Sequence, residues 1–554
     1  MTVKPQTAVA KQQSSPEVAQ KLLEIESQLI RKNKFVLALT ELMQVAQDNL
    51  HDAQVWMLIG LVYTRMAHWQ PAIGVLETSL QLDPHNNNTK QLMALALFSV
   101  GERTRACHLI DQVAKSGSAT SAHWMLRAYL HAHASSDPMQ ALKVARDWGR
   151  RFADPLTRNA RPFTFTDRSP RKKLKVGYVS ADFREHSVAF FMQPILAHHD
   201  AQVVEVHVYS NGPEDGITQQ IKPLAAYWHD VQALSDEQMH AQVRADGIDI
   251  LVDLSGYTHG QRLGVFARRA APVQVTWLGY MHTLGMKAMD YRLVDAGIAP
   301  PSHGQFYSET LFHLNCMATY VPPAYSPLCE TLPLQQNGYP TLVSLNSSAK
   351  ITDAMLRVWG RILEKRTDAR LIIMVKEDSP DAALAHMEPR VAAAGLPMER
   401  VSVLHQQPLD RFMEVGFIAD VALDTFPISG GTTTLHALWM GLPIVALRGK
   451  HGVQSSTAST LLGLGLGQDI SNNEDEYVAK ALAWLEDEAA LLVRRQTARE
   501  HLQQSILMDY AQRTRDLEQA FRLMWLNYLR QDKASTSVVQ DVEQLLQSME
   551  CDHV

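Results

Sequence analysis

The chain has 554 residues, which at about 150 residues per domain is enough for three or four domains. Hydrophobic residues make up 46% and charged residues 20%, a composition that argues against a largely disordered chain. The net charge of −6 gives no electrostatic footprint for nucleic acid or an anionic membrane, so neither partner is expected. Four scattered cysteines without a CxxC pair argue against a cysteine-based zinc site and a disulfide framework. Since no signal peptide and no membrane-length apolar run is visible, we expect a cytoplasmic protein.

Periodicity in the first third of the chain predicts helical repeats over 16–153, after a disordered tail over 1–15. A frame of about 34 residues places small and large apolar side chains where tetratricopeptide repeats have them. In the clearest unit these positions are Trp56, Ile59, Gly60, Tyr63, Ala72, Leu76, Ser79 and Pro84. The same phase holds in units that start at Ala19 and Asn87. Because each repeat buries its face only against its neighbours, the array is predicted to be a binding surface.

Two sets of short, continuous apolar runs follow, one over 172–330 and one over 331–530. Such runs are typical of parallel strands buried on both faces, and their alternation with helical stretches predicts two Rossmann-like lobes. The basic, proline-containing stretch 154–171 is expected to be a solvated linker rather than a nucleic-acid arm. Before residue 531 a long helix is predicted, with one apolar stripe made of Leu517, Phe521, Met524, Trp525 and Tyr528. Residues 531–554 are expected to form a tail or short helix, whose apolar residues are Val538, Val542, Leu545 and Met549. In this architecture, ligands bind at the carboxyl ends of the strands.

Neither lobe carries a GxGxxG loop or a P-loop, and the chain has no Asp-x-Asp motif for holding a metal–diphosphate pair. An enzyme that handles a diphosphate without a metal needs positive potential from side chains and helix N-termini. We therefore expect no metal at the site and look for such groups after the strands of each lobe.

One candidate is a glycine and threonine segment after a strand of the second lobe. Gly430 and Gly431 let the backbone turn, and Thr432, Thr433 and Thr434 open the helix that follows. Backbone N–H groups, hydroxyls and the positive end of a helix dipole are thereby presented to an anion. The alternative is an ordinary helix cap after a turn.

Two more candidates are found, one after the first strand of each lobe. Lys350 lies after the first strand of the second lobe, where a lysine can neutralise a diphosphate leaving group as charge develops. His186 lies after the first strand of the first lobe, where a pKa near neutrality suits a general base or a hydrogen-bonding group. For both residues, a solvated surface side chain remains the alternative.

Five motifs in one order make the pattern specific. They are Lys175–Ser180 with Asp182–Arg184 and His186–Ser187, then Asp249–Thr258, Ala271–Tyr280, Ala349–Thr352 and Leu423–Thr434. Together with the repeats, from about residue 19 to 530, the chain resembles the SPINDLY and O-linked N-acetylglucosamine transferase family, glycosyltransferase family 41. The Asp-Phe-Arg-x-His-Ser and Leu-Asp-Thr-Phe-Pro phrases lean towards the SPINDLY branch.

The resemblance implies an α/β GT-B fold of two Rossmann-like lobes, preceded by an all-α tetratricopeptide superhelix. It implies an inverting, metal-independent transfer of a sugar, most simply N-acetylglucosamine from its UDP donor, to Ser or Thr of a protein. The nucleotide sugar is a substrate, so no cofactor is expected. The repeats are expected to hold the polypeptide acceptor, and assembly into a homo-oligomer is left open.

The resemblance also assigns roles to individual residues. Lys350 and the Thr432–Thr434 helix start would hold the diphosphate, and His186 would contact the acceptor hydroxyl or the donor. The other expected donor-binding residues are Gly279, Tyr280, Thr283, Asn346, Ser347, Phe412, Gly430, Gly431 and His436.

Several of these positions depart from the family pattern. The family's amide, histidine and acidic residue are replaced by Ser347, Gly431 and His436, respectively, and the loop that begins Gly279-Tyr280 lacks the family's proline. A GDP-fucose-dependent transferase, or a catalytically weakened interaction protein, therefore remains an alternative.

Overall fold

The computed structural model describes residues 14–164, 167–377, 379–531 and 540–545. The chain divides into two compact units, and several stretches of chain contribute to each. The first consists of Met1–Leu130, Asn346–Gly360 and Ile372–Gln406, and the second of His131–Leu345, Arg361–Leu371 and Gln407–Val554.

The described residues before Leu174 form helices and the turns between them, without a strand. The helices are α1 (Pro16–Ile25), α2 (Phe35–Asp48), α3 (Ala53–Arg65), α4 (Trp69–Leu82), α5 (Asn87–Ser99), α6 (Arg103–Lys115), α7 (Ser121–Ala134), α8 (Pro138–Trp148) and α9 (Asp154–Arg158). Side-chain caps explain several starts, since Asp52 accepts the amide of Gln54 and Asn86 that of Thr89. In the first unit α2 to α6 pack as consecutive neighbours.

The repeat phase read from the sequence matches the buried positions of these helices. Ala38, Ala72 and Ala106 are fully buried at equivalent places, as are Leu42 and Leu76. Gly60 in α3 allows α4 to approach closely, because an added Cβ would overlap the side chain of Leu76. Small residues at the crossings therefore set the spacing of the repeat helices.

The first sheet has seven strands in the order β3-β2-β1-β4-β5-β6-β7, and every neighbouring pair is parallel. Its strands are β1 (Leu174–Ser180), β2 (Val204–Ser210), β3 (Tyr227–Asp230), β4 (Ile250–Asp253), β5 (Val273–Thr276), β6 (Tyr291–Val294) and β7 (Thr310–His313). The helices between them are α10 (Ser187–His198), α11 (Gly216–Ile221), α12 (Asp236–Asp246) and α13 (Leu263–Ala267).

The second sheet has six strands in the order β10-β9-β8-β11-β12-β13. Its strands are β8 (Thr341–Ser344), β9 (Arg370–Met374), β10 (Val401–Leu404), β11 (Val421–Leu423), β12 (Ile444–Leu447) and β13 (Ile470–Ser471). The remaining helices are α14 (Pro333–Asn337), α15 (Asp353–Lys365), α16 (Pro380–Ala393), α17 (Leu409–Met413), α18 (Thr432–Trp439), α19 (Ser456–Gly463), α20 (Glu474–Glu486), α21 (Glu488–Gln503) and α22 (Tyr510–Gln531). The predicted fold, helical repeats followed by two Rossmann-like lobes, is confirmed.

Helix α22 covers the first sheet and joins its core. Phe521, Met524 and Trp525 are fully buried on the apolar stripe that the sequence predicts, and they pack in one cluster with residues of β1, β2 and β4. Arg522 on the same helix donates to the carbonyls of Pro170 and Lys172, so the end of the expected linker is held rather than solvated.

Two sequence expectations concern the chain ends. In the predicted C-terminal piece, Val542 is buried and Leu545 packs against the same core, whereas Val538 and Met549 lie outside the described residues. The tail expected over 1–15 lies almost wholly outside them as well. The exact domain boundaries stay a prediction. Among the described helices, none has both the length and the apolar composition needed to cross a bilayer.

Two glycines allow the end of the repeat region to touch the first lobe within the second unit. An added Cβ at Gly149, just after α8, would overlap the carbonyl oxygen of Gly285. Gly285 has a φ of 67°, and a Cβ there would in turn overlap the backbone of Ala145. Backbone therefore packs on backbone, and neither position has room for a side chain.

We expect Gly149→Ala to lower the free energy of unfolding by about 1–3 kcal/mol, because a rigid backbone has to move to admit the methyl group. The matched control is Gly74→Ala in α4, where an added Cβ meets no heavy atom within 4 Å. That change should be neutral or stabilise the protein by up to about 1 kcal/mol through helix propensity. Urea unfolding of the two variants makes the comparison, and equal stabilities would contradict the predicted backbone contact.

Candidate functional site

The carboxyl end of β1 leads directly into the start of α10, and His186 is the residue that caps this helix. Its Nδ1 accepts the backbone amide of Val188 at 3.2 Å, and 43% of its side chain is exposed. The carboxylate of Asp182 lies 3.8 Å from the same nitrogen. Because a neutral imidazole carries one N–H, acceptance at Nδ1 places the proton of the neutral ring on Nε2. In this state His186 can donate from Nε2.

The loop between β11 and α18 is built around the buried carboxylate of Asp424. This carboxylate accepts the hydroxyl of Ser429 at 2.8 Å and the amide of Gly430 at 2.7 Å. Ser429 in turn accepts the amide of Thr457 at 2.9 Å. Asp424 is 1% exposed, so its charge is compensated by these short bonds and the loop geometry is fixed.

The three threonines at the start of α18 have different surroundings. Thr432 and Thr433 are half-buried, whereas Thr434 is buried and bonds to the hydroxyl of Thr457 at 2.7 Å. A Cβ at Gly430 would overlap the Thr434 hydroxyl, which explains the glycine. Gly431 is the N-cap residue and has no side chain with which to cap the first amides of the helix. The first turn of α18 thus has the form of an anion site.

A hydrogen bond brings the starts of α10 and α18 together. The hydroxyl of Thr432 donates to the hydroxyl of Ser187 at 2.9 Å. Ser187 is the first residue of α10 and directly follows His186, so the expected acceptor-contacting histidine lies beside the expected diphosphate-binding helix start. Two helix N-termini that meet in this way add their positive potentials.

Aromatic side chains form a second group around His436 of α18. The rings of Phe412 and His436 lie 5.8 Å apart in an edge-to-face arrangement. The hydroxyl of Tyr320 bonds to Nδ1 of His436 at 3.1 Å. Burial lowers the pKa of His436 to about 4, so this ring is neutral at pH 7. Two residues expected to bind the nucleotide therefore share one largely apolar wall.

The segment that begins at Gly279 packs tightly against the loop after β4. A Cβ at Gly279 would overlap the carbonyl oxygen of Leu254, and one at Gly256 would overlap Tyr280. The buried ring of Tyr280 lies edge-to-face on Tyr257, with centroids 5.2 Å apart. Gly279 and Tyr280 are thus rigidly placed at the carboxyl ends of β4 and β5.

Thr283 of the same segment is fully buried and is held by an acidic residue. Its hydroxyl donates to Glu309 at 2.7 Å, while the other oxygen of Glu309 accepts the amide of Leu284 at 2.6 Å. The backbone amide of Ser308 donates to the Thr283 hydroxyl at 3.0 Å. In this structure the hydroxyl of Thr283 stabilises the loop.

Asn346, Ser347 and Lys350 belong to the first unit, where they form a turn of their own. The amide of Lys350 donates to the carbonyl of Ser347 at 2.8 Å, and Asn346 is buried. Two arginines hold the backbone on both sides of the lysine. Arg103 from α6 donates to the carbonyl of Ala349, and Arg390 from α16 donates to that of Ile351, both at 2.7 Å.

Arg103 is a residue that the sequence reading did not identify. It is 8% exposed, and burial together with the charge of Arg390 lowers its pKa to about 10. It lies 246 positions before its partner Ala349. No local motif could have revealed this contact. Ser187 belongs to the His186–Ser187 motif, but its contact with Thr432 spans 245 positions and no local pattern marks it.

The model of glycosyl transferase family 41 matches residues 155–321 and 340–517. The probable UDP-N-acetylglucosamine–peptide N-acetylglucosaminyltransferase SPINDLY of Solanum lycopersicum is 36% identical over 400 residues, which are 70% of this chain and 42% of that protein. The protein of the same name from Arabidopsis thaliana is 36% identical over 398 residues, 70% of this chain and 43% of its own length. The chain spans less than half the length of these curated relatives.

A solved structure is similar over almost the whole chain. It is a mutant of the O-GlcNAc transferase of Thermobaculum terrenum, and it matches with a TM-score of 0.86 and 31% sequence identity. The alignment covers 94% of this chain and 100% of that one.

The buried His436 predicts a pH dependence of stability. Its pKa of about 4 lies below the ordinary 6.5, so the unfolded chain binds the proton more tightly and stability falls as the pH drops from 6.5 towards 4. At pH 5 this one residue should cost about 2 kcal/mol relative to pH 7. In His436→Gln the loss of unfolding free energy between pH 7 and pH 5 should be smaller by that amount. Urea unfolding at both pH values measures the difference, and identical losses would rule out a buried neutral ring.

Proposed function

Because the chain belongs to glycosyltransferase family 41, we propose that it is a protein O-glycosyltransferase. It transfers a sugar from a nucleotide donor to a Ser or Thr hydroxyl of a polypeptide. The observation that carries this proposal is the first turn of α18, where Thr432 and Thr433 stand at a helix start that meets the start of α10 through Ser187. The names of the relatives favour N-acetylglucosamine from its UDP donor.

The reaction we propose is a direct displacement with inversion. The acceptor oxygen forms a bond to the anomeric carbon while the bond to the diphosphate breaks, and the nucleoside diphosphate leaves with the electron pair. The helix start at Thr432 and Thr433 binds this anion through backbone N–H groups and hydroxyls. Lys350 supplies a full positive charge, which offsets the negative charge that develops on the leaving group, so no metal is needed.

We assign His186 the role of a hydrogen-bond donor rather than that of a base. Its Nδ1 is occupied by the amide of Val188, and in the neutral ring the proton lies on Nε2. A ring in this state can orient the donor or the acceptor oxygen but cannot take a proton at Nε2. The proton of the acceptor hydroxyl then passes to a phosphate oxygen of the donor.

The donor residues divide into two groups in this proposal. Phe412 contacts the nucleotide base, with His436 as the neutral edge-to-face support of its ring. Gly279 and Tyr280 line the sugar side, and Asn346 and Ser347 form the turn that presents Lys350. Thr283 and Thr434 are assigned supporting roles, because their hydroxyls bond Glu309 and Thr457.

We further propose that the helical repeats hold the polypeptide acceptor. Stacked helix pairs create an extended concave surface that suits an extended chain. Arg103 supports this assignment, since a side chain of repeat helix α6 fixes the backbone beside Lys350.

A donor panel tests the proposal without knowledge of the acceptor. We expect UDP-N-acetylglucosamine to raise the melting temperature and to be slowly hydrolysed, because a ligand that binds the native state stabilises it. Protection and hydrolysis with GDP-fucose instead would support the fucosyltransferase alternative suggested by the SPINDLY-like motifs. If neither donor raises the melting temperature and neither is hydrolysed, the proposed enzymatic function is rejected and an interaction protein is favoured.

The assignment of Lys350 is tested by Lys350→Ala. Loss of one charge-stabilising group in a transferase site should lower kcat by at least about a hundredfold while the fold remains intact. Lys365→Ala at the exposed end of α15 is the matched control and should keep wild-type turnover. Donor hydrolysis and circular dichroism are measured together. Turnover at the wild-type rate in Lys350→Ala would refute the role.

A further inference from the structure

A cluster of metal-ligating side chains lies at the β3 edge of the first sheet. His207 is in the middle of β2, His229 is in the edge strand β3, and Asp246 ends α12. Lys175 at the start of β1 donates to the carbonyl of Asp246 at 3.0 Å. None of the three ligating residues is among the donor-binding or acceptor-contacting residues, so the cluster is a separate feature of the first lobe.

We propose that His207, His229 and Asp246 form a binding site for Zn²⁺. The three ligand atoms all lie within 4.8 Å of one another. His207 Nδ1 and His229 Nε2 are 3.3 Å apart, and His229 Nε2 is 3.8 Å from the carboxylate of Asp246. Ligands at 2.0–2.1 Å from a tetrahedral zinc ion are about 3.3–3.4 Å from each other, so the two nitrogens already have the required spacing.

Outer contacts orient each ligand as in established zinc sites. Nε2 of His207 bonds the carboxylate of Glu205 at 3.0 Å, which directs the lone pair of Nδ1 towards His229. The hydroxyl of Tyr209 donates at 2.7 Å to Oδ2 of Asp246, the carboxylate oxygen that lies 3.8 Å from His229 Nε2. A carboxylate behind a histidine and a donor on the ligating carboxylate are the supports that raise metal affinity.

To bind a metal, His229 needs a change of tautomer together with a flip of the Gln242 side-chain amide. Its Nδ1 lies 2.9 Å from the side-chain amide of Gln242. When that amide presents its oxygen, the ring donates from Nδ1 and Nε2 becomes a ligand, with no net gain or loss of protons.

Stacked rings make the cluster rigid while leaving it accessible. Tyr209 stacks on His229 and Tyr227 on His207, each pair with centroids 4.6 Å apart. Tyr227 is 51% exposed, and the side chain of His229 is partly exposed on the edge strand, so an ion can enter from solvent. Bound zinc would join β2, β3 and α12 at the edge of the sheet. With three protein ligands, a fourth position on the ion remains for water.

The test uses the 554-residue chain after removal of metals with a chelator. Calorimetric titration with ZnCl₂ should show one tight site per chain, and Zn²⁺ should raise the melting temperature. His229→Gln and Asp246→Asn each remove a ligand and should weaken binding by at least about tenfold, as should Glu205→Gln, which removes an outer support. His240→Gln is the matched control: it changes a histidine of α12 outside the cluster and should leave binding unchanged.

Cobalt distinguishes this site from surface histidines. Co²⁺ should give the intense visible bands of four-coordinate nitrogen and oxygen ligation in the wild type and in His240→Gln, but not in His229→Gln. Circular dichroism confirms that each variant is folded, and Asp246→Asn provides a second ligand variant if His229→Gln is not. Wild-type zinc affinity in both ligand variants, or no tight site in the wild type, would overturn the proposal. The proposal is independent of the transferase assignment, since neither readout measures sugar transfer.

Discussion

The hydrogen bond from Thr432 to Ser187 joins the first turns of two helices that belong to different sheets. The electrostatics of the candidate site in the second unit depend on this contact, since two helix N-termini converge on it. It can form because other contacts fix each helix start. His186 caps α10, and Asp424 holds the loop before α18. A pair of neutral hydroxyls thus positions a positive potential without burying a basic side chain.

A second buried carboxylate keeps the two lobes of the second unit in register. Asp295, which follows β6, accepts the hydroxyl of Ser459 in α19 at 2.7 Å and 2.8 Å. It also accepts the amides of Ile298 and Met317. A buried anion with three donors around it is costly to displace, because any shift leaves charge and donors unpaired. Such polar contacts specify one arrangement of the two lobes, which apolar packing alone would define less well.

Periodicity made the fold predictable, and side-chain contacts distant in sequence made parts of the site unpredictable. Strands such as Leu174–Ser180 are continuous apolar runs and could therefore be predicted, whereas Tyr227–Asp230 and Thr310–His313 are partly exposed edge strands of mixed composition and carry no such run. The Gly430–Thr434 segment could be found because it is local. Two other features depend on how separate elements pack, and no motif indicates them. They are the hydrogen bond from Arg103 to the carbonyl of Ala349 and the proximity of His207 to Asp246.

The contact between Gly149 and Gly285 has a consequence for how such chains can diverge. A helix turns by about 100° per residue, so one residue inserted into α8 would point Gly149 away and bring a side chain against the Gly285 carbonyl. Whole repeats added upstream leave this angle unchanged, because they lengthen the array without altering α8. Evolution should therefore tolerate insertions of whole repeats before Pro138. It should select against insertions or deletions of single residues within α8.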